Sequence, residues 1–121
     1  DLQGSAGAVK FLIERLQAGE DILLFPEGQR SSDGRLQPLE QGVGLLAART
    51  GAPVIPAYIH GTFEAMPRGS RACRPAKISL SFGDPLYLES LESKGVSAKD
   101  LRRAVTSLLE ASLKELEAFY L

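Results

Sequence analysis

The chain holds a single cysteine, Cys73, and a single histidine, His60. One thiol rules out an intrachain disulfide and any zinc cluster built on several cysteines, and it fits a reducing compartment. No apolar run approaches the roughly 20 residues that a bilayer-spanning helix needs, and the first residues lack the charged start and apolar core of a secretory leader. The sequence therefore predicts no membrane span within these 121 residues. Net charge is nearly lacking too, at −1. So weak a field does not draw the whole chain onto nucleic acid or an anionic surface, and any such attraction must be local. There is no Gly-x-Ser-x-Gly nucleophile elbow and no Gly-Lys-Ser/Thr phosphate loop, and no internal repeat or low-complexity tract.

What remains is an ordinary globular composition, 44% hydrophobic and 24% charged, in a length suited to one domain. Residues 4–17 place Val9, Leu12, Ile13 and Leu16 at i, i+3, i+4 and i+7, one face of a helix, with Ser5 suited to its start. Residues 22–25 are four consecutive apolar side chains and read as a short buried strand, ended by Pro26. A second helix is predicted over 39–50, with Leu39, Val43, Leu46 and Ala47 on one side and Gly51 at its end. Residues 54–59 are nearly all apolar, as in a strand covered on both faces, although Pro56 points to an edge or a bulge. Two strands joined by a helix of this length predict a right-handed parallel crossover. In 77–82, Ile78, Leu80 and Phe82 alternate with Ser79 and Ser81, the pattern of a half-buried strand. Ser97 and Asp100 then make a capping-box pattern before a stripe of Leu101, Val105, Leu108, Leu109, Leu113 and Leu116. The expected fold class is α/β, with a mostly parallel sheet flanked by helices.

The turn after residues 22–25 concentrates the chemistry: Glu27, Gly28, Gln29, Arg30 and Ser31. Gly28 has no Cβ, so backbone N–H groups can approach an oxyanion, and Arg30 offers a planar fork to two phosphate oxygens. Glu27 would repel a phosphate, so it accepts from a substrate hydroxyl or holds Arg30 in place. The competing account is a tight turn carrying a solvent-facing ion pair, worth roughly 0–1 kcal/mol. Residues 60–77 form a second concentration, with Arg68, Arg71, Arg74 and Lys77 against Glu64. These cations suit a basic rim that meets anionic headgroups, at about 1 kcal/mol each, or simply a solvated loop. No interleaved aromatics support single-stranded nucleic acid. His60 is the one candidate for a general base near neutral pH, but Ala65 stands five positions later where an orienting carboxylate would be wanted. Cys73 has no evident base to activate it.

Phe25-Pro26-Glu27-Gly28-Gln29-Arg30-Ser31 resembles the FPEGTRS block of the glycerolipid acyltransferases, the family of 1-acylglycerol-3-phosphate acyltransferase. Residues 36–47 are similar to that family's polar loop leading into a helix, with Gly42 at its glycine. Ala52-Pro53-Val54-Ile55-Pro56-Ala57-Tyr58-Ile59-His60-Gly61 resembles its proline-containing strand block, and Ser81-Phe82-Gly83-Asp84-Pro85-Leu86 its late segment. Gln29 departs from the usual threonine, Leu39-Glu40 from Phe-Lys, and Leu2 from the arginine of an earlier block.

The resemblance implies transfer of a fatty acyl group from acyl-CoA or acyl carrier protein to the hydroxyl of glycerol 3-phosphate, lysophosphatidate or a related lysophospholipid. It implies no metal and no resident cofactor. In the family a histidine takes the hydroxyl proton and an aspartate five positions later orients it. These 121 residues contain no such His-x4-Asp pair. Residues 1–121 are accordingly expected to be the C-terminal portion of a single acyltransferase domain. They would carry the acceptor phosphate site, with Pro56, His60 and Gly61 lining the pocket and no catalytic residue. Anchorage at the cytoplasmic face of a membrane is expected through a preceding segment. Alone, the piece is expected to transfer no acyl chain and to be marginally stable or self-associating through uncovered apolar sheet surface. The alternative is a non-catalytic anion or headgroup binding module.

Overall fold

A computed structural model describes residues 6–27, 33–36, 38–66, 69, 71–97 and 100–120. Among these, α1 (Ala6–Gln17), α2 (Gly42–Thr50), β1 (Ala57–His60), α3 (Thr62–Ala65), β2 (Ser79–Phe82), α4 (Leu88–Ser93) and α5 (Leu101–Ala118) follow one another along the chain.

The core lies where α2 crosses α5. Along α5 the buried residues Leu101, Val105, Leu109, Leu113 and Glu117 recur every fourth position and form one stripe. Burying each of its leucines contributes roughly 1.5–3 kcal/mol relative to exposure. On α2 the buried residues are Gly42, Gly44, Leu46 and Ala47, three of them small. Small side chains let the helices approach until a Cβ on Gly44 would fall on the carbonyl oxygen of Arg102. Leu88 and Leu91 of α4 complete a cluster with Ala47, Leu101 and Val105. α2 stops at Gly51, whose φ of 73° is left-handed and whose N–H donates to Ala47 O at 2.8 Å.

β1 pairs antiparallel with β2, Tyr58 opposite Ser81 and Ile59 opposite Leu80. Beyond β1 the ladder is broken at Pro56, which has no N–H to give. Val54 and Leu86 resume the pairing, each donating to the other, and the carbonyl of Pro56 accepts from Gly83 N–H at 2.9 Å. The irregularity expected at Pro56 is therefore present.

The α/β class holds, but two strand expectations are corrected. Residues 22–25 form no strand, and no parallel crossover exists among the described residues, whose one sheet is the β1–β2 pair. Their side chains do alternate, with Ile22 and Leu24 half-buried and Leu23 and Phe25 exposed at 77% and 68%. A strand is defined by the neighbour its amides bond to, and no described segment pairs with this one. In β2 the covered face is the reverse of the one its apolar pattern suggests. Leu80 and Phe82 are exposed at 56% and 64%, whereas Ser79 and Ser81 are half-buried. The serine face is the one that meets the C-terminal end of the chain, where Ser81 Oγ and Tyr120 Oη lie 2.6 Å apart.

Candidate functional site

The charged turn is described at its two ends. Glu27 is half-buried, while Gly28, Gln29, Arg30 and Ser31 lie outside the described residues, as does Arg68. On the entering side the carbonyl of Pro26 accepts from Glu40 N–H at 2.7 Å, fastening the chain to the approach of α2. On the leaving side Asp33 Oδ1 accepts from Arg35 N–H at 2.9 Å, a local turn that suits aspartate. One residue later, Leu36 N–H donates to Glu117 Oε2 at 2.6 Å, a bond that spans 81 positions of sequence. The turn is thus bracketed by two long-range hydrogen bonds.

Both ends of the turn, Glu27 and Arg35, line a cavity of about 860 Å³. Its walls are largely apolar, with Leu24, Val54, Leu109 and Leu113 among them. Pro56, His60 and Gly61 line it as well. His60 is held by stacking: its ring lies 4.3 Å from that of Tyr120 at an interplanar angle of 9°. Gly61 is buried at a φ of 102°, and a Cβ there would fall on the carbonyl oxygen of Lys77. Arg71, Arg74 and Lys77 are exposed along the loop that leads into β2. Among the described residues no group of three His, Cys, Asp or Glu is placed to hold a metal ion, and no helix is long and apolar enough to cross a membrane.

Tyr58 is the electrostatic centre of the cavity wall. Burial pushes its phenol above the usual 10.0, and the carboxylates of Glu117, Glu27 and Glu64 push it further in the same direction. The three carboxylates thus act on the phenol in one direction and favour its neutral form. A folded-state pKa above the unfolded one means that the neutral phenol supports folding fully below pH 10 and that this support is lost as pH rises through the folded value. We expect the alkaline limb of the stability curve to fall above pH 10 in the wild type and to be flatter in Tyr58→Phe. Identical limbs in chemical denaturation across pH 9–12 would count against it.

The sequence singles out neither Tyr58 nor Tyr120, and it marks Glu64 only as the acid among the cations of residues 60–77. For Glu117 a signal is present, a carboxylate four positions after Leu113 on the apolar stripe of α5. Nothing in the local sequence marks Tyr58 and Tyr120, because their roles arise from the approach of α5 to β1.

Residues 1–60 match the model of the family described as Acyltransferase. A chloroplastic 1-acyl-sn-glycerol-3-phosphate acyltransferase of Brassica napus is 41% identical over 70 residues, 58% of this chain and 20% of that protein. The 1-acyl-sn-glycerol-3-phosphate acyltransferase of Bacillus subtilis is 30% identical over 110 residues, 91% of this chain and 51% of that protein. Among solved structures, the 1-acyl-sn-glycerophosphate acyltransferase PlsC of Thermotoga maritima superposes with a TM-score of 0.73 at 32% identity, over 97% of this chain and 46% of that one. The chain thus spans about half the length of the bacterial relatives it matches and a smaller share of the plant one.

Proposed function

The chain belongs to the glycerolipid acyltransferase family, and on that premise we propose that it supplies the acceptor side of an acyl transfer in phospholipid synthesis. The acceptor is glycerol 3-phosphate, lysophosphatidate or a related lysophospholipid, and the donor is acyl-CoA or acyl carrier protein. The supporting observation is that the chain is tethered on either side of residues 28–31, at Pro26 and at Leu36, and that the flanking Glu27 and Arg35 line a largely apolar cavity of about 860 Å³. A lysophospholipid has the matching chemistry, a phosphate beside a free hydroxyl and a hydrocarbon chain.

Arg30 supplies the cation for the acceptor phosphate, binding two of its oxygens with its fork. Glu27 accepts a hydrogen bond from an acceptor hydroxyl and orients it. The transfer itself needs a base to take the hydroxyl proton. The resulting alkoxide oxygen then attacks the thioester carbonyl, and the tetrahedral adduct expels the thiolate. His60 is not assigned that role, since Ala65 stands five positions later where the family has its aspartate. Residues 1–121 thus hold the acceptor and contain no His-x4-Asp pair to supply the base. Arg71, Arg74 and Lys77, exposed along the loop into β2, together with Arg68 earlier in the same stretch, suit anionic headgroups or the phosphates of the donor, as work at the cytoplasmic face of a membrane would require.

The test is Arg30→Ala in the full-length protein. Losing a charge-assisted, two-pronged contact should raise the acceptor KM about ten- to a hundredfold and leave the thioester KM within about twofold. Unchanged acceptor kinetics would remove the phosphate site from this turn.

A further inference from the structure

We propose that Glu117 is a positioning residue for the acceptor turn: its carboxylate, presented from the far end of α5, fixes the chain where the turn leaves the site. The inference rests on the acceptor site proposed for residues 27–31. Glu117 is 8% exposed, and its Oε2 accepts from Leu36 N–H at 2.6 Å. It occupies the last position of a stripe otherwise made of Leu101, Val105, Leu109 and Leu113. An apolar residue there would continue the packing at no electrostatic cost, since a buried carboxylate is expensive unless a hydrogen bond compensates it. The compensation found is a backbone N–H from the segment that leaves the turn, 81 positions earlier.

The other end of the turn has its own tether, Glu40 N–H to the carbonyl of Pro26. The two bonds hold Pro26 and Leu36 in place before an acceptor binds. Removing the Glu117 bond releases Leu36, and the cost of fixing that position again falls on acceptor binding. The thioester and the proton transfer are untouched, so the effect falls on acceptor KM. The helix end that carries Glu117 is itself held against the sheet, because Tyr120 stacks on His60 and its hydroxyl lies 2.6 Å from Ser81 Oγ.

The experiment compares Glu117→Leu and Glu117→Gln in the full-length enzyme, with Arg30→Ala as a control, measuring both KM values, kcat and Tm. Leucine continues the apolar stripe but accepts nothing from Leu36. We expect Glu117→Leu to raise acceptor KM about five- to tenfold, with thioester KM and kcat within about twofold and Tm unchanged or higher. Glutamine keeps a carbonyl acceptor, and Glu117→Gln should stay within about twofold of wild type. The positioning role is overturned if acceptor KM is unchanged in Glu117→Leu, or if that variant loses only stability, soluble yield or kcat. It is equally overturned if Glu117→Gln is as impaired as Glu117→Leu. An Arg30→Ala effect without a Glu117→Leu effect defeats this inference alone. No effect of Arg30→Ala defeats the acceptor site and the inference with it.

Discussion

Gly44→Ala is expected to cost a large share of the stability of the fold. The added Cβ would lie 2.6 Å from Thr106 Oγ1 and on top of the carbonyl oxygen of Arg102. A flexible side-chain tip can turn away from an intruding methyl, but a helix backbone carbonyl cannot. Relief therefore requires α2 and α5 to separate, and they are the two halves of the core. Separation opens space beside Ala47 and Val105, the latter only 1% exposed. It also strains the contact of Thr106 Oγ1 with Gln41 Oε1, 3.3 Å apart. Overpacking of a well-filled interior typically costs about 1–3 kcal/mol, and a clash with backbone belongs at or above the top of that range. Against a total stability of roughly 5–15 kcal/mol, the midpoint of thermal unfolding should fall by about 10 °C or more. Gly7→Ala in α1 is the control, since its Cβ would meet nothing within 4 Å and alanine is the better helix former. Circular dichroism melts of the two variants decide the matter, and a fall of less than about 2 °C for Gly44→Ala would show that the helices are not in close contact.

Much of this architecture is legible in the sequence because helical signals are local. The apolar spacing of Val9, Leu12, Ile13 and Leu16 marks α1, and the four-residue stripe from Leu101 to Leu113 marks α5 within a few residues of its observed start. Pro56 announces its break in the ladder because a missing N–H acts wherever the strand lies. Strand facing is another matter. The alternation of Ile78, Leu80 and Phe82 with Ser79 and Ser81 gives two faces but not which of them is covered, and that is decided by Tyr120, some forty residues away. Residues 22–25 have the composition of a strand, yet strand formation needs a partner, and composition names none. The glycine face of α2 is similarly hidden. Periodicity finds Leu46 and Ala47 of the buried face but cannot mark Gly44, where the missing side chain lets α2 come closest to α5.

The candidate site divides in the same way. Ordered sequence blocks pointed to residues 27–31 and to the lining positions Pro56, His60 and Gly61, because block order survives without any knowledge of contacts. The carboxylates that act on Tyr58 of β1 come from α3, α5 and the turn, three separate places in the chain. Their meeting point could be found only in three dimensions.

In isolation, residues 1–121 should self-associate in the micromolar range rather than sediment as a monomer. Ile59, Leu80 and Phe82 share one exposed sheet face by register, with Ile59 opposite Leu80 and Phe82 opposite Ala57. Leu23, Phe25 and Ile55 are exposed around the same cavity. Covering six such side chains would gain on the order of 5–10 kcal/mol, enough to offset much of the entropy lost on association. The edges reinforce the tendency. Among the described residues β1 and β2 each have one side with no strand partner, a row of donors and acceptors for another chain. The remedy follows from the same geometry. Leu80→Lys with Phe82→Glu places opposite charges two positions apart on the exposed face, where neither side chain belongs to the buried core. Such charges block edge pairing and wet the patch while leaving α2, α4 and α5 in contact. Sedimentation velocity across the micromolar range should show a rising average mass for the unmodified chain and a constant monomer for the double variant, with the same helical content in both. A concentration-independent monomer for the unmodified chain would mean that this face does not drive association, and equal association of the double variant would place the contact elsewhere on the molecule.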